Sequence, residues 1–233
     1  MFEIYFEKNK LDEEDKKIAS FCLANNITFH EVNTKQFEKN ELSLTSKTLP
    51  IGNIHFLHFC FKKINRKHVY NCYPNELQKF LNRNIHEILM KKLPYNYPFF
   101  IKPSRRLKKF TGKIIQSSND LYGISKNEYV WYSPCLDIVS EWRVYVKNGN
   151  IIFIAFCDGQ KDKYPDRKII DNIVESLNPT EYYFQGCVVD IAVTSQNQTL
   201  FLELNDGYSI GRYDNMPMEP YLNLLYNRWK ANF

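Results

Sequence analysis

Glu203 and Asn205 close the apolar run Leu200-Phe201-Leu202-Glu203-Leu204-Asn205, and Asp190 sits inside another, Val188-Val189-Asp190-Ile191-Ala192-Val193. The polar turn Ser195–Gln198 separates the two runs, which reads as a hairpin. If Thr194 pairs with Thr199 across that turn, Asp190 falls opposite Glu203, and Asn205, two residues on, shares their face. Opposed carboxylates repel by a few tenths to about 1 kcal/mol in exposed pairs, and by more when desolvated. A hard divalent cation is the simplest offset, because Mg²⁺ takes oxygen ligands and needs few carboxylates beside phosphates and water. A face open to water, or a nearby arginine, would serve equally well on pattern alone. The inference depends on register, since a one-residue slip would turn Asp190 to the opposite face.

A second chemistry is suggested just downstream. Gly207-Tyr208-Ser209-Ile210-Gly211 matches the G-x-S-x-G of serine hydrolases. That motif requires its serine between a strand and a helix, with an acid and then a histidine later in the chain. The histidines stand at 30, 55, 58, 68 and 86, all before Ser209, and Asn205-Asp206-Gly207 separate the strand from the supposed elbow. The hydrolase reading fails, and the glycines suit a tight loop against a ligand. Cys22, Cys60, Cys72, Cys135, Cys157 and Cys187 match neither a zinc pattern nor a disulfide scaffold, and read as free thiols in apolar runs. His55 and His58 read as packing residues.

The densest positive charge follows Phe99-Phe100-Ile101-Lys102-Pro103, a short strand carrying a lysine. Ser104–Lys113 holds Arg105, Arg106, Lys108, Lys109 and Lys113 with one glycine, Gly112. Such a stretch is a solvated loop, a flap over nucleotide phosphates, or a patch for nucleic acid. Glu141 and Arg143 share one strand face with Tyr145, either pairing with each other or lining a cleft.

The elements that must hold these residues can be read coarsely. Phe2–Phe6 is strand-like, Leu11–Ala24 helix-like, Ile27–Val32 a second strand, and Asn33–Pro50 a polar loop before the apolar run Ile54–Phe61. This order favours parallel pairing. Leu77, Phe80, Leu81, Ile85, Ile88 and Leu89 recur at three and four, predicting a helix with Arg83 and Glu87 on its solvated side. Glu128–Tyr132 is a strand. Lys147-Asn148-Gly149-Asn150 between Glu141–Val146 and Ile151–Phe156 is a hairpin signal. Asp166–Leu177 and Pro220–Lys230 read as helices. The chain of 233 residues, 44% hydrophobic with net charge +5, suits one large domain or two small ones. No run is long enough for a membrane span, and an acidic N-terminus unlike a signal peptide points to a soluble cytoplasmic protein.

Taken in order, these pieces resemble the ATP-grasp fold, and more closely its clade named for one arginine and two lysines. The resemblance rests on Tyr73-Pro74-Asn75-Glu76-Leu77 with Arg83, Phe100-Ile101-Lys102-Pro103, Lys109-Phe110-Thr111-Gly112, Ser140-Glu141-Trp142-Arg143-Val144-Tyr145, and Leu202–Gly207 through Ser209, Gly211 and Tyr213. It covers roughly residues 70–215. It implies an α+β fold in which two α+β lobes clasp ATP (residues 73–233), preceded by a small α/β preATP-grasp domain (residues 1–72). It further implies that Arg83, Lys102 and Arg143 act on phosphates or an acyl-phosphate. Arg83, Lys102, Lys109, Lys113, Trp131, Ser133 and Glu141 would bind the nucleotide, with Val130–Ser133 along the adenine and Glu141 at the ribose. Asp190, Glu203 and Asn205 would hold Mg²⁺, where the residue-level reading and the resemblance meet. The flap is poorer in glycine than most relatives', and Val188 stands where many carry an arginine, a charge Arg143 or Arg212 could supply.

The activity implied is an ATP- and Mg²⁺-dependent carboxylate–amine ligase acting through an acyl-phosphate, on small-molecule or peptide carboxylates and amines. Three alternatives stand beside it: a nucleotide-binding module without catalysis, a kinase, and an ATP-dependent nucleic-acid-processing enzyme using residues 102–113. The sequence names neither substrate nor oligomeric state.

Overall fold

The computed structural model describes residues 2–8, 11–66, 71–94, 96–105 and 109–233. Arg106 and Lys108 of the basic stretch, and His68, lie outside them.

The chain opens with a three-stranded parallel sheet. β1 (Glu3–Glu7) lies between β2 (Phe29–Val32) and β3 (Thr48–Ile51). Asp12 caps α1 (Glu13–Ala24) in a reciprocal capping box with Asp15, which explains the acidic first turn. The expected loop 33–50 contains two elements. Asn33 and Gln36 form a second capping box that starts the short α2 (Thr34–Glu38), and β3 follows. β3 was hidden by its brevity and its proline. Pro50 is tolerated because β3 is an edge strand. The apolar run after it is a helix, α3 (Ile54–Lys63), capped by Asn53. This unit does not close its core alone: Ile4, Phe6, Leu49 and Leu57 share one cluster with Tyr221, Leu225 and Trp229 of the last helix, α5 (Met218–Lys230).

The predicted helix over 77–89 is two elements. A 3₁₀ helix covers Asn75–Phe80, Asn82 takes φ +49°, and β4 (His86–Leu89) follows. The helical periodicity joined residues that face different cores: Leu77 and Leu81 are buried with Val144 and Val189, whereas Ile88 packs against Ile101 and Val130.

β4 begins a small antiparallel sheet of order β4-β7-β5-β6, with β5 (Phe99–Pro103), β6 (Lys113–Ile115) and β7 (Tyr129–Pro134). Its first and last strands are neighbours, with His86 opposite Tyr132. Residues 135–137 then lead into a larger antiparallel sheet of order β11-β10-β8-β9. β8 (Ile138–Lys147) and β9 (Asn150–Gly159) join through Asn148-Gly149, both at positive φ as a two-residue hairpin turn demands. α4 (Arg167–Glu175), capped by Asp166, buries Ile170, Ile173 and Val174 against one face of this sheet. The other face carries Glu141, Arg143 and Tyr145, whose neighbours on β10 (Cys187–Thr194) are Ala192, Asp190 and Val188.

The pairing of β10 with β11 (Thr199–Asp206) corrects one expectation and preserves another. Near the turn the partners are Val193 with Thr199 and Ile191 with Phe201, one residue off the expected register. A β-bulge at Leu202 then restores it, so Asp190 does lie opposite Glu203. The bulge explains why Phe201 and Leu204, three apart, enter the same core while Glu203 and Asn205 face away from it.

Candidate active site

The two antiparallel sheets face each other across a cleft of about 570 Å³. Its walls come from β5 (Phe100, Lys102), the segment before β6 (Thr111, Gly112), the crossing 133–138, and the charged face of the larger sheet (Glu141, Arg143, Asp190, Glu203). Phe100, Ile114, Pro134, Leu136 and Ile138 make one end apolar. Gly112 is required by close approach: a Cβ there would lie 2.9 Å from the Phe100 ring and 3.2 Å from the Lys102 side chain.

At the polar end, side chains from three strands converge with one from across the cleft. Arg143 forks onto Asp190, Nε to Oδ1 at 2.8 Å and Nη2 to Oδ2 at 2.9 Å. The Lys102 ammonium, buried on β5, crosses the cleft to pair with Glu203 and rests 4.6 Å from the centre of the Tyr73 ring. The Asn205 amide nitrogen donates to both carboxylates, to Asp190 at 3.1 Å and Glu203 at 3.0 Å. Burial pushes the Asp190 carboxyl up, against the opposing pull of Arg143. Burial acts on Glu203 in the same direction, but Lys102 and Asn205 outweigh it and hold that carboxyl below its usual range. Burial, reinforced by the charge on Asp190, raises Glu141. The two adjoining carboxylates are oxygen donors of the kind a hard divalent cation takes, and here their charge is offset by Arg143 and Lys102 while the Asn205 nitrogen bridges them. Among the described residues no group of three His, Cys, Asp or Glu side chains offers a metal site.

The remaining expected residues are spread more widely. Ser133 is buried in the cleft wall, its hydroxyl donating to the Pro134 carbonyl at 3.0 Å. Trp131, opposite Lys102 in the small sheet, packs edge-on against Tyr73. Lys109 is exposed, and Lys113 gives its ammonium to the Asp120 carbonyl on its own loop. Arg105 forks onto Glu87 of β4 and stacks over Tyr129. The cleft lining therefore gathers Lys102, Ser133, Glu141, Arg143, Asp190 and Glu203, with Asn205 bonded to its two carboxylates, and does not include Trp131, Lys109 or Lys113. Arg83 also reaches it, on neither the predicted helix nor its solvated face. Its guanidinium is half-buried and donates to the carbonyls of Leu81, Phe201 and Leu202 at 3.1, 2.9 and 3.0 Å.

Sequence reasoning missed the anchoring of the loop after β11. The Tyr145 hydroxyl donates to the Gly211 carbonyl at 2.7 Å and accepts from the Tyr213 amide at 3.0 Å. Burial pushes this phenol up to about 12, which keeps it a donor. The signal was its position on one strand face with Glu141 and Arg143. Arg212 turns away to Glu14 and the Met216 carbonyl, so Arg143 is the guanidinium beside Asp190. Ser209 lies in this loop at φ +50°, three residues past the end of β11 and nine before α5, so it does not stand on a sharp strand-to-helix turn.

Two α+β lobes closing on a cleft of this kind are the ATP-grasp fold. The chain belongs to the ATP-grasp domain family described as the second family of the clade named for one arginine and two lysines, which it matches over residues 80–224. Solved structures agree on the fold along nearly the whole chain. The ATP-grasp ligase PsnB complexed with minimal precursor, Mg and ADP aligns with a TM-score of 0.56 at 10% identity, covering 98% of this chain and 97% of that one. A RimK domain ATP-grasp protein from Sphaerobacter thermophilus gives 0.55 at 12% identity, covering 99% and 98%. The macrocyclase MdnC bound with precursor peptide MdnA, from Microcystis aeruginosa, gives 0.54 at 13%, also covering 99% and 98%. No curated protein matches the chain. Among the described residues, no helix is long and apolar enough to cross a membrane.

Proposed function

We propose that the protein is a cytoplasmic ATP- and Mg²⁺-dependent ligase that joins a carboxylate to an amine through an acyl-phosphate. The observation that carries this reading is the meeting of Asp190, Glu203 and Asn205 with Lys102 and Arg143 at one end of an interlobe cleft. The N-terminal unit of residues 1–72 and an ATP-grasp unit of 73–233 belong to the same proposal.

The apolar end, from Phe100 and Ile114 to the backbone of 133–136, suits a purine base. Glu141 faces the cleft and accepts hydrogen bonds from a ribose. Lys102 and Arg143 supply positive charge where a phosphoryl group transfers, and they act in a site partly shielded from water, where such charges count most. Asp190, Glu203 and Asn205 would hold Mg²⁺, which when bound would supply the positive charge that neutralises phosphate oxygens. The substrate carboxylate attacks the γ-phosphorus and ADP leaves. The amine then attacks the acyl carbon, phosphate departs, and the amine loses a proton. The loop from Gly207 to Tyr213, pinned by Tyr145, holds the acyl end still while this happens. PsnB has been solved with its minimal precursor bound and MdnC with the precursor peptide MdnA, which supports peptide carboxylates as one substrate class.

Calorimetry with ADP and ATP, with and without Mg²⁺, followed by a screen of amino acids and peptides for ADP release, tests the reading. Release that needs both a carboxylate and an amine supports it. A stable phosphorylated product formed without an amine makes the protein a kinase. Nucleotide binding with no release under any pairing makes it a binding module, and no Mg²⁺-dependent binding ends the proposal.

A further inference from the structure

β11 is the edge strand of the larger sheet, so one side of its backbone has no neighbouring strand. It is also the strand whose register must change. Continued without interruption, the pairing nearest the turn would set Leu202 opposite Asp190 and turn Glu203 into the core with Phe201. The bulge at Leu202 prevents this and brings Glu203 to the cleft face. A bulge leaves backbone groups outside the ladder, and on an edge strand they must find other partners. Here they do. Arg83 reaches from the segment between the 3₁₀ helix and β4, and its fork takes the carbonyls of both Phe201 and Leu202. One residue beyond Glu203, the Leu204 amide donates to the Cys72 carbonyl at 2.9 Å. The backbone on either side of Glu203, the bulge before it and Leu204 after it, is thus held from outside the sheet by residues 83 and 72.

From this geometry we infer that Arg83 is a positioning residue for Glu203: it acts by clamping the bulge rather than by contacting a nucleotide phosphate, the role the family resemblance suggests. This rests on the reading of the cleft as a Mg²⁺–nucleotide site. A planar five-donor fork can span two carbonyls at once, while an ammonium is a point donor. Lysine should therefore fail at this position, although it would serve a phosphate.

Three variants test the assignment: Arg83→Met, Arg83→Lys, and Arg83→Met combined with deletion of Leu202. The deletion removes the bulge yet leaves Glu203 next after Phe201, opposite Asp190, on the same face. ADP binding is measured by calorimetry with and without Mg²⁺. Arg83→Met and Arg83→Lys are expected to weaken Mg²⁺-dependent affinity by about tenfold to a hundredfold, the weight of a lost charged hydrogen-bond pair. Mg²⁺-free ADP affinity should hold within about twofold, and the Leu202 deletion should restore much of the loss. A parallel fall without Mg²⁺, or full function in Arg83→Lys, overturns the inference in favour of a phosphate contact. An independent reading comes from amide exchange in the ligand-free variants. Arg83→Met should speed exchange at the Leu204 amide about tenfold or more relative to amides of the β8–β9 hairpin. An unchanged rate sinks the clamp even if the protein binds no nucleotide, and wild-type failure to bind nucleotide sinks the ligase reading alone.

Discussion

The two sheets that face each other across the cleft are built to different standards. The larger has two strands of ten residues and two of eight, and packs a core on either face. The smaller has strands of four, five, three and six residues over a compact core of Met90, Leu93, Phe99, Ile101, Ile115 and Val130. Asp190, Glu203, Asn205, Glu141 and Arg143 all sit on the larger, and Lys102 reaches across from the smaller. The contrast says that the carboxylates, whose mutual geometry the proposed Mg²⁺ site depends on, are held on a deep scaffold, while the lighter sheet contributes apolar wall and the buried Lys102 ammonium.

The largest effect should come from the charges that meet between the sheets. Glu203→Gln and Lys102→Met are each expected to lower ADP release by about a thousandfold while circular dichroism shows the fold retained. If only the Glu203 change mattered, the smaller sheet would be a mere cover. Next comes the anchor under the larger sheet. Asp206 at the end of β11 and Arg228 of α5 form a forked ion pair, 2.6 and 3.0 Å, with both side chains buried. Arg228→Met leaves a buried carboxylate without its guanidinium, and urea unfolding should show a loss of about 3–5 kcal/mol. Matched truncations then compare the two cores directly. Ile191→Ala and Ile101→Ala remove the same atoms from fully buried sites and fall within a range of about 2–5 kcal/mol. We expect Ile191→Ala near the top of it, felt in global unfolding, and Ile101→Ala near the bottom, felt as faster amide exchange confined to β5 and β7. Equal, global losses from both would dissolve the contrast.

The smallest expected effect is one of pH. Arg105, with Ser104, holds Glu87 below the usual carboxylate range at the edge of the smaller sheet. A depressed carboxylate stabilises above its unfolded value and loses that contribution as pH falls through its folded one. Protection of the β4 amides, taken relative to their intrinsic exchange rates, should therefore fall as the solution is acidified, and Glu87→Gln should flatten that trend.

Much of this was visible in the sequence because it depends on short-range rules. Asn148-Gly149 dictated a hairpin, Asp166 marked a helix start, and Lys102 stood on its strand. Other features depend on partners far away in the chain. The run from Leu77 to Leu89 reads as one helix because two elements facing different cores happen to keep a three-four spacing. Nothing local to Thr199–Asp206 announces the bulge, which is set by pairing with β10 and by carbonyls that Arg83 takes from over a hundred residues earlier. The expected facing of Asp190 and Glu203 was met although the turn register assumed for it was off by one, since the bulge supplied the missing residue. Lys109 and Lys113 were expected at the nucleotide from the family resemblance, but Lys109 is exposed and Lys113 bonds the Asp120 carbonyl, because neighbouring side chains on a turning chain point in different directions.

The pairing of β4 with β7 has a topological corollary. Everything from His86 to Pro134 departs from and returns to adjacent positions, so the smaller sheet is an excursion with both feet planted side by side. Such a loop of chain can be lengthened or trimmed at its outer turns without re-threading the remainder, provided Lys102 keeps its place.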